Sequence, residues 1–151
     1  MRPLDVFIEA ALGTYDDDCR WDLIGGVLRE CSDDVLEVAT ALLASPIERE
    51  RTLGADILGR LVGVEPSSRG AVQKAIVAAL AFERAAAPLA SIVAALGHVG
   101  DPGTLGLVFP LADSASAEVR LAVAFAIATI SPQPVAPEAR RSEERRVGKE
   151  C

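Results

Sequence analysis

Few side chains in this sequence carry the chemistry of a reaction centre, and their spacing is not that of one. His98 is the only histidine, so a metal site that needs two imidazoles cannot be assembled. Its place near the end of a helical stretch suits a side chain that caps the last carbonyls. Asp16, Asp17 and Asp18 put three carboxylates in a row, which could draw a hard cation. The alternating ligands, central Gly and distal Glu of a calcium loop are missing, however, and at a helix start the same run complements the macrodipole. Arg20 beside Trp21, the single tryptophan, joins two residue types that anchor interfaces. The phase of Trp21 with Ile24 and Leu28 favours core packing. Cys19 and Cys31 lack a nearby histidine or an electropositive setting, and read as small buried filler. The Gly25 and Gly26 pair does not follow a strand and is no phosphate loop.

Composition sets what must position these residues. Half of the 151 residues are apolar and only 4% are aromatic, a balance that suits helices packed closely through small side chains. The net charge of -7 repels phosphate, and there is no basic stripe with stacking aromatics, so nucleic acid is not an expected partner. No apolar run is long enough to cross a membrane, and the first residues lack a signal peptide's basic start and apolar stretch. Three cysteines without metal spacing fit a reducing compartment. A cytoplasmic protein without cofactor or membrane association is expected.

The last eleven residues, Arg141–Cys151 (RSEERRVGKEC), break with the Ala/Leu/Val texture before them. The string resembles the in-frame translation of a sequencing-adapter oligonucleotide and is set aside as non-native. Without it the body carries 11 basic and 19 acidic side chains, a net of -8. The expected division is a folded unit over 1–139, truncated at its C-terminal end, and a non-native or disordered tail over 140–151. On this reading Ser131–Ala139 is the loop and first turn of a further helix.

Within the body, apolar residues recur at three- and four-residue steps, which predicts eight helices. They run over Pro3–Leu12, Asp17–Glu30, Asp33–Ala44, Pro46–Leu61, Ser68–Glu83, Ala85–Val99, Pro102–Ala112 and Ser116–Ile130. Ser32 and Ser45 are candidate N-caps, and Pro46 and Pro102 stand where a missing N–H costs nothing. Links of a few residues make neighbouring helices antiparallel. Ile57, Leu58, Gly59 and Leu61 align with Ala95, Leu96, Gly97 and Val99, and again with Ala126, Ile127, Ala128 and Ile130, at offsets of 38 and 31 residues. A Gly or Ala beside large apolar groups would let a neighbouring helix approach closely. Such a recurring pair of helices marks a solenoid.

The stretch Ala95–Pro102 (ALGHVGDP), with Glu118, Val119 and Arg120 beyond it, and Glu48–Leu61 (ERERTLGADILGRL) resemble the short bacterial HEAT-like repeats also found in phycobilisome-lyase relatives. The resemblance covers most of residues 17–130. It implies an all-α solenoid of stacked antiparallel helical hairpins, with second helices lining a concave wall. It also implies an Asp at the turn and an Arg early in the second helix that bond between repeats, a role that falls here on Asp113 and Arg120. The His-Glu pairs of the family's di-iron hydroxylases cannot form around one histidine.

The function expected from this reading is a non-enzymatic scaffold that holds an unknown protein partner on the concave face. Trp21, Asp56, Arg60, His98 and Glu118 are the candidate contacts, and no catalytic, cofactor or metal residues are assigned. The alternative is a helical-repeat enzyme or accessory factor, like the bilin lyases or the DNA glycosylases, for which no basic aromatic groove or pigment-clasping cluster is legible. An uncapped last repeat should expose Val123, Ile127 and Ile130 and favour self-association.

Overall fold

Pro3 occupies the first helical position, where no N–H is required, and Arg2 and Asp5 bond across the first turn in both directions. These residues start α1 (Pro3–Gly13). The structure, a computed structural model, describes residues 2–30 and 34–131. After α1 come α2 (Asp17–Glu30), α3 (Val35–Leu43), α4 (Glu48–Val64), α5 (Arg69–Leu80), α6 (Ala86–Val99), α7 (Leu105–Val108) and α8 (Ala117–Ile130). There is no strand among the described residues, and no helix there is long and apolar enough to cross a membrane. The expected tail over 140–151, the domain limit at 139, and Cys31, Ser32 and Asp33 lie outside the described residues.

Local chemistry accounts for the boundaries, including those that differ from expectation. Asp16 accepts a hydrogen bond from the Cys19 amide at 2.9 Å, so the acidic run opens α2 as a cap and not as a cation loop. Ser45 accepts from the Ile47 amide at 3.1 Å, which makes a turn ahead of α4 and delays its start from Pro46 to Glu48. The seventh helix is broken into a 3-10 turn at Pro102–Thr104, the single turn of α7, and a second 3-10 turn at Phe109–Leu111. Pro110 has no N–H to give, so the α-helical hydrogen-bond ladder stops there, although Phe109 itself keeps helical dihedrals (φ -52°, ψ -41°). Gly100, at φ 72°, ends α6 in the left-handed conformation that a side chain resists, and its amide bonds to the Leu96 carbonyl at 3.0 Å.

Packing is densest among α4, α6 and α8. Among the described residues α4 lies against α6 and α6 against α8 through the most extensive contacts, while α1 packs on α2, α3 on α4 and α5 on α6. Leu58, Leu96, Ile92 and Val119 are fully buried along these seams. Missing side chains set the spacing. A Cβ on Gly59 would stand 3.2 Å from the Ala95 Cα, and one on Gly97 would stand 3.1 Å from the Ala126 Cα. The Gly of one aligned segment therefore receives the Ala that opens the next. Gly54 is closer still, with the Leu43 amide and Ala39 carbonyl of α3 at 2.6 and 2.7 Å from its would-be Cβ.

The polar links between pairs differ from expectation. Asp113 and Arg120 form no ion pair among the described residues. Arg120 donates to the carbonyls of Ser114 (2.8 Å) and Ala115 (3.0 Å), because the fourth residue of a helix reaches back over the open carbonyls of the preceding linker. Arg51, the fourth residue of α4, does the same to Ser45 and Pro46 at 3.1 and 3.0 Å. These two arginines are separated by 69 residues, the sum of the two sequence offsets. Arg51 also meets Glu83, in the link between α5 and α6, at 2.7 and 3.2 Å.

The last helix faces the other way from the one expected. Val123 and Ile130 are 3% and 1% exposed and Ile127 is partly buried against the core. Contact with α6 around Gly97 turns Val119, Val123, Ala126 and Ile130 inward, sets the half-exposed Phe125 (38%) against Gly97 and His98, and leaves Leu121 (73% exposed) outside.

Candidate functional site

Asp56 and Arg60 are four residues apart on α4 and so share a face. Trp21 comes to that face from α2 and His98 from the last turn of α6. Together these four line one small pocket of about 30 Å³, closed by Ala55, Gly59, Ser91, Ala94 and Ala95. Glu118, exposed in the first turn of α8, does not line it. Four of the five residues chosen from the sequence thus meet in space, and the fifth does not.

The pocket is charged and incompletely satisfied. Asp56 is only 8% exposed. Burial pushes its carboxyl above the usual aspartate range, against the opposing effects of the Ser91 hydroxyl and of Arg20 and Arg60. Arg20 lies between two carboxylates, 3.5 Å from Asp56 and 3.4 Å from Asp17. Oδ2 of Asp56 and Nε of Arg20 are buried without a hydrogen-bond partner among the described residues, which is costly for charged groups. The Arg60 guanidinium sits over the Trp21 ring at 4.7 Å and that of Arg20 at 5.6 Å. Trp21 therefore serves both readings, since its partly buried ring also packs against the core.

His98 does not cap α6, a task met by the Gly100 amide geometry. Its ring lies against Phe125, centroids 5.2 Å apart and tilted by 57°. Burial, with the Arg60 charge added, holds its pKa below the usual histidine value, so the ring is neutral at neutral pH. Ser91, Asp56 and His98 share the pocket, but the hydroxyl faces the carboxylate and no hydrogen bond joins His98 to either among the described residues. A relay in which the imidazole takes the serine proton is not assembled. Cys19 is exposed, contrary to expectation, because it stands on the outer side of α2 near Asp18 and Asp22.

Beyond Gly59, Arg60 and His98 the pocket continues into an open groove of about 700 Å³. It exists because α2 touches α4 far less than α6 does, and because Gly25, Gly59 and Gly63 place no side chain in it. Arg29 of α2 and Arg69 of α5 face it together with Arg60, and its apolar lining is the buried Leu28 and Val62 with the exposed Val64. Arg29 stands four residues after Gly25 on one helix face and was within reach of periodicity. Arg69 arrives across a turn, and Ser91 from another helix, so neither left a signal in local spacing.

No protein-family model matches the chain, and no characterised protein is significantly similar to it in sequence.

Proposed function

We propose that this chain is a HEAT-like solenoid acting in the cytoplasm as a non-enzymatic scaffold, which holds a protein partner on the wall formed by α2, α4 and α6. The observation that carries the reading is the convergence of Trp21, Asp56, Arg60 and His98, from three helices, on one pocket that opens into a groove. Three features support the stacked architecture: the α4, α6 and α8 seam, the Gly-on-Ala contact repeated at Gly59 and Gly97, and the matching bonds of Arg51 and Arg120. A half-buried Trp flanked by guanidiniums is the kind of anchor on which interface energy concentrates. The exposed Cys19 thiol fits a reducing compartment.

The test is affinity capture from cells of the source organism with the wild-type chain, W21A, R60A and a control, K74E, on the exposed side of α5. Loss of the same captured protein with W21A and R60A, and its retention with K74E, is expected. Equal capture by all four chains would refute the proposal.

A further inference from the structure

The groove beside the pocket has a chemical character of its own. In a chain of net charge -7, it is lined by three arginines and one histidine, and no carboxylate side chain lines it among the described residues. None of Arg29, Arg60 and Arg69 lies within ion-pair distance of a carboxylate among those residues. Helix electrostatics accounts for only part of this. Arg29 in the last turn of α2 complements the negative end of its helix, but Arg69 is the first residue of α5, where a cation opposes the macrodipole. The guanidinium of Arg69 is thus placed against local preference, on the rim of a groove that already holds two others.

Resting on the scaffold reading, we infer that this groove takes an acidic segment of the partner protein, with carboxylates on Arg29, Arg60 and Arg69 and an aliphatic side chain on the apolar lining of Leu28, Val62 and the exposed Val64. Guanidinium groups grip carboxylates through paired N–H donors, and the exposed Val64 offers apolar surface to bury between the charged contacts. The rest of the surface, being acidic, repels the same segment and so confines it to the groove. A single-stranded nucleic acid fits less well. Its longer run of phosphates would extend over acidic surface, and the one tryptophan nearby already has two guanidiniums at its ring.

The experiment titrates the full chain with fluorescein-labelled peptides built of Glu, Asp and Leu, with Lys-for-acid counterparts, and with oligouridine, at low and raised salt. Trp21 fluorescence and the single histidine resonance of His98 report from the pocket side. The acidic peptides should bind, weaken as salt rises, and lose about tenfold or more in affinity with R29E or R69E. The Lys peptides should not bind. R29Q and R69Q, milder at exposed positions, should give the same direction with a smaller loss. Binding unchanged in all four variants, absence of acidic-peptide binding, or tighter binding of oligouridine would each overturn the inference. Arg29 and Arg69 line the groove and not the Asp56 pocket. A partner captured equally by R29E and R69E but lost with W21A would therefore sink the acidic segment and leave the scaffold standing, whereas capture insensitive to every one of these changes would sink both.

Discussion

Glu83 receives the Arg51 guanidinium at 2.7 and 3.2 Å and, through its Oε1, the amides of Arg84 and Ala85 at 3.0 and 2.9 Å. One carboxylate thus ties α4 to the start of α6, and Arg51 in turn ties both to the linker before α4. Burial alone would raise the Glu83 pKa, but Arg51 and the two amides hold it below the usual glutamate range. The sign follows: the carboxylate's contribution is present above the unfolded-state value, about 4.3, and is lost as pH falls through the lower folded-state value. Glu83→Ala should cost about 2–4 kcal/mol at neutral pH. In urea melts the difference from wild type should shrink as the solution is acidified below that range, and a pH-independent difference would contradict it.

Three of the close-packed glycines, Gly54, Gly59 and Gly97, should rank by what a methyl group would strike. Gly54→Ala meets backbone of α3 and should be the worst, above about 3 kcal/mol, or fail to fold. Gly59→Ala and Gly97→Ala crowd a neighbouring helix at slightly longer range and should cost about 1–3 kcal/mol. Gly63, with nothing within 4 Å of a would-be Cβ, is the control, and Gly63→Ala should be neutral or raise Tm through helix propensity. Thermal melts showing Gly54→Ala as stable as Gly63→Ala would contradict the packing described.

Asp56 should behave in the opposite sense to Glu83. Its folded-state pKa is raised, chiefly by burial, so the neutral form is the better tolerated one and stability declines as pH rises through that value. Asp56→Asn should therefore gain on the wild type between acid and neutral pH. Parallel pH-stability curves for the two proteins would argue against a strained buried carboxylate.

Titration of His98 by NMR should give a value below the ordinary 6.5, with burial as the larger cause and Arg60 as the smaller. Neutral imidazole is favoured in the fold, so its contribution is full above that ordinary value and is lost as pH falls through the lower one. Arg60→Gln should raise the titration part of the way and not completely. A complete return to the unperturbed value would assign the whole effect to charge.

Leu121, 73% exposed, and the open part of the Phe125 ring, 38% exposed and otherwise set against Gly97 and His98, put apolar surface on α8. We expect weak self-association through it, seen as concentration-dependent sedimentation of the wild type. Leu121→Glu should abolish that dependence while leaving Tm within about 1 °C, since the side chain lies outside the core. A wild type that stays monomeric at high concentration would remove this surface from consideration.

Helical period and punctuation were enough to locate the eight helices seen among the described residues, because the 3.6-residue repeat of apolar side chains and the effects of Pro, Gly and Asp act within a turn or two. Pro110, which breaks the seventh helix, is a local signal of the same kind. That a neighbouring helix could come close at Gly59 and Gly97 was also legible, since steric demand follows from residue type, but which residues they receive was not. Facing was different. Val123, Ile127 and Ile130 all belong to one apolar helix, and only the approach of α6 at Gly97 decided that Val123 and Ile130 go inward while Leu121 remains outside.

The site divides in the same way. Asp56 and Arg60 share a face by spacing alone, so half of the pocket was written in the local sequence. Trp21 and His98 join them, Glu118 does not, and Arg69 enters from beyond a turn, because these positions depend on which helices touch and how closely. Burial of the Asp56 carboxyl, the loose α2–α4 seam and the gathering of three guanidiniums in an acidic chain are properties of contacts between segments distant in sequence. Local sequence determines which faces are available, and packing energy summed over the whole chain determines which of them meet.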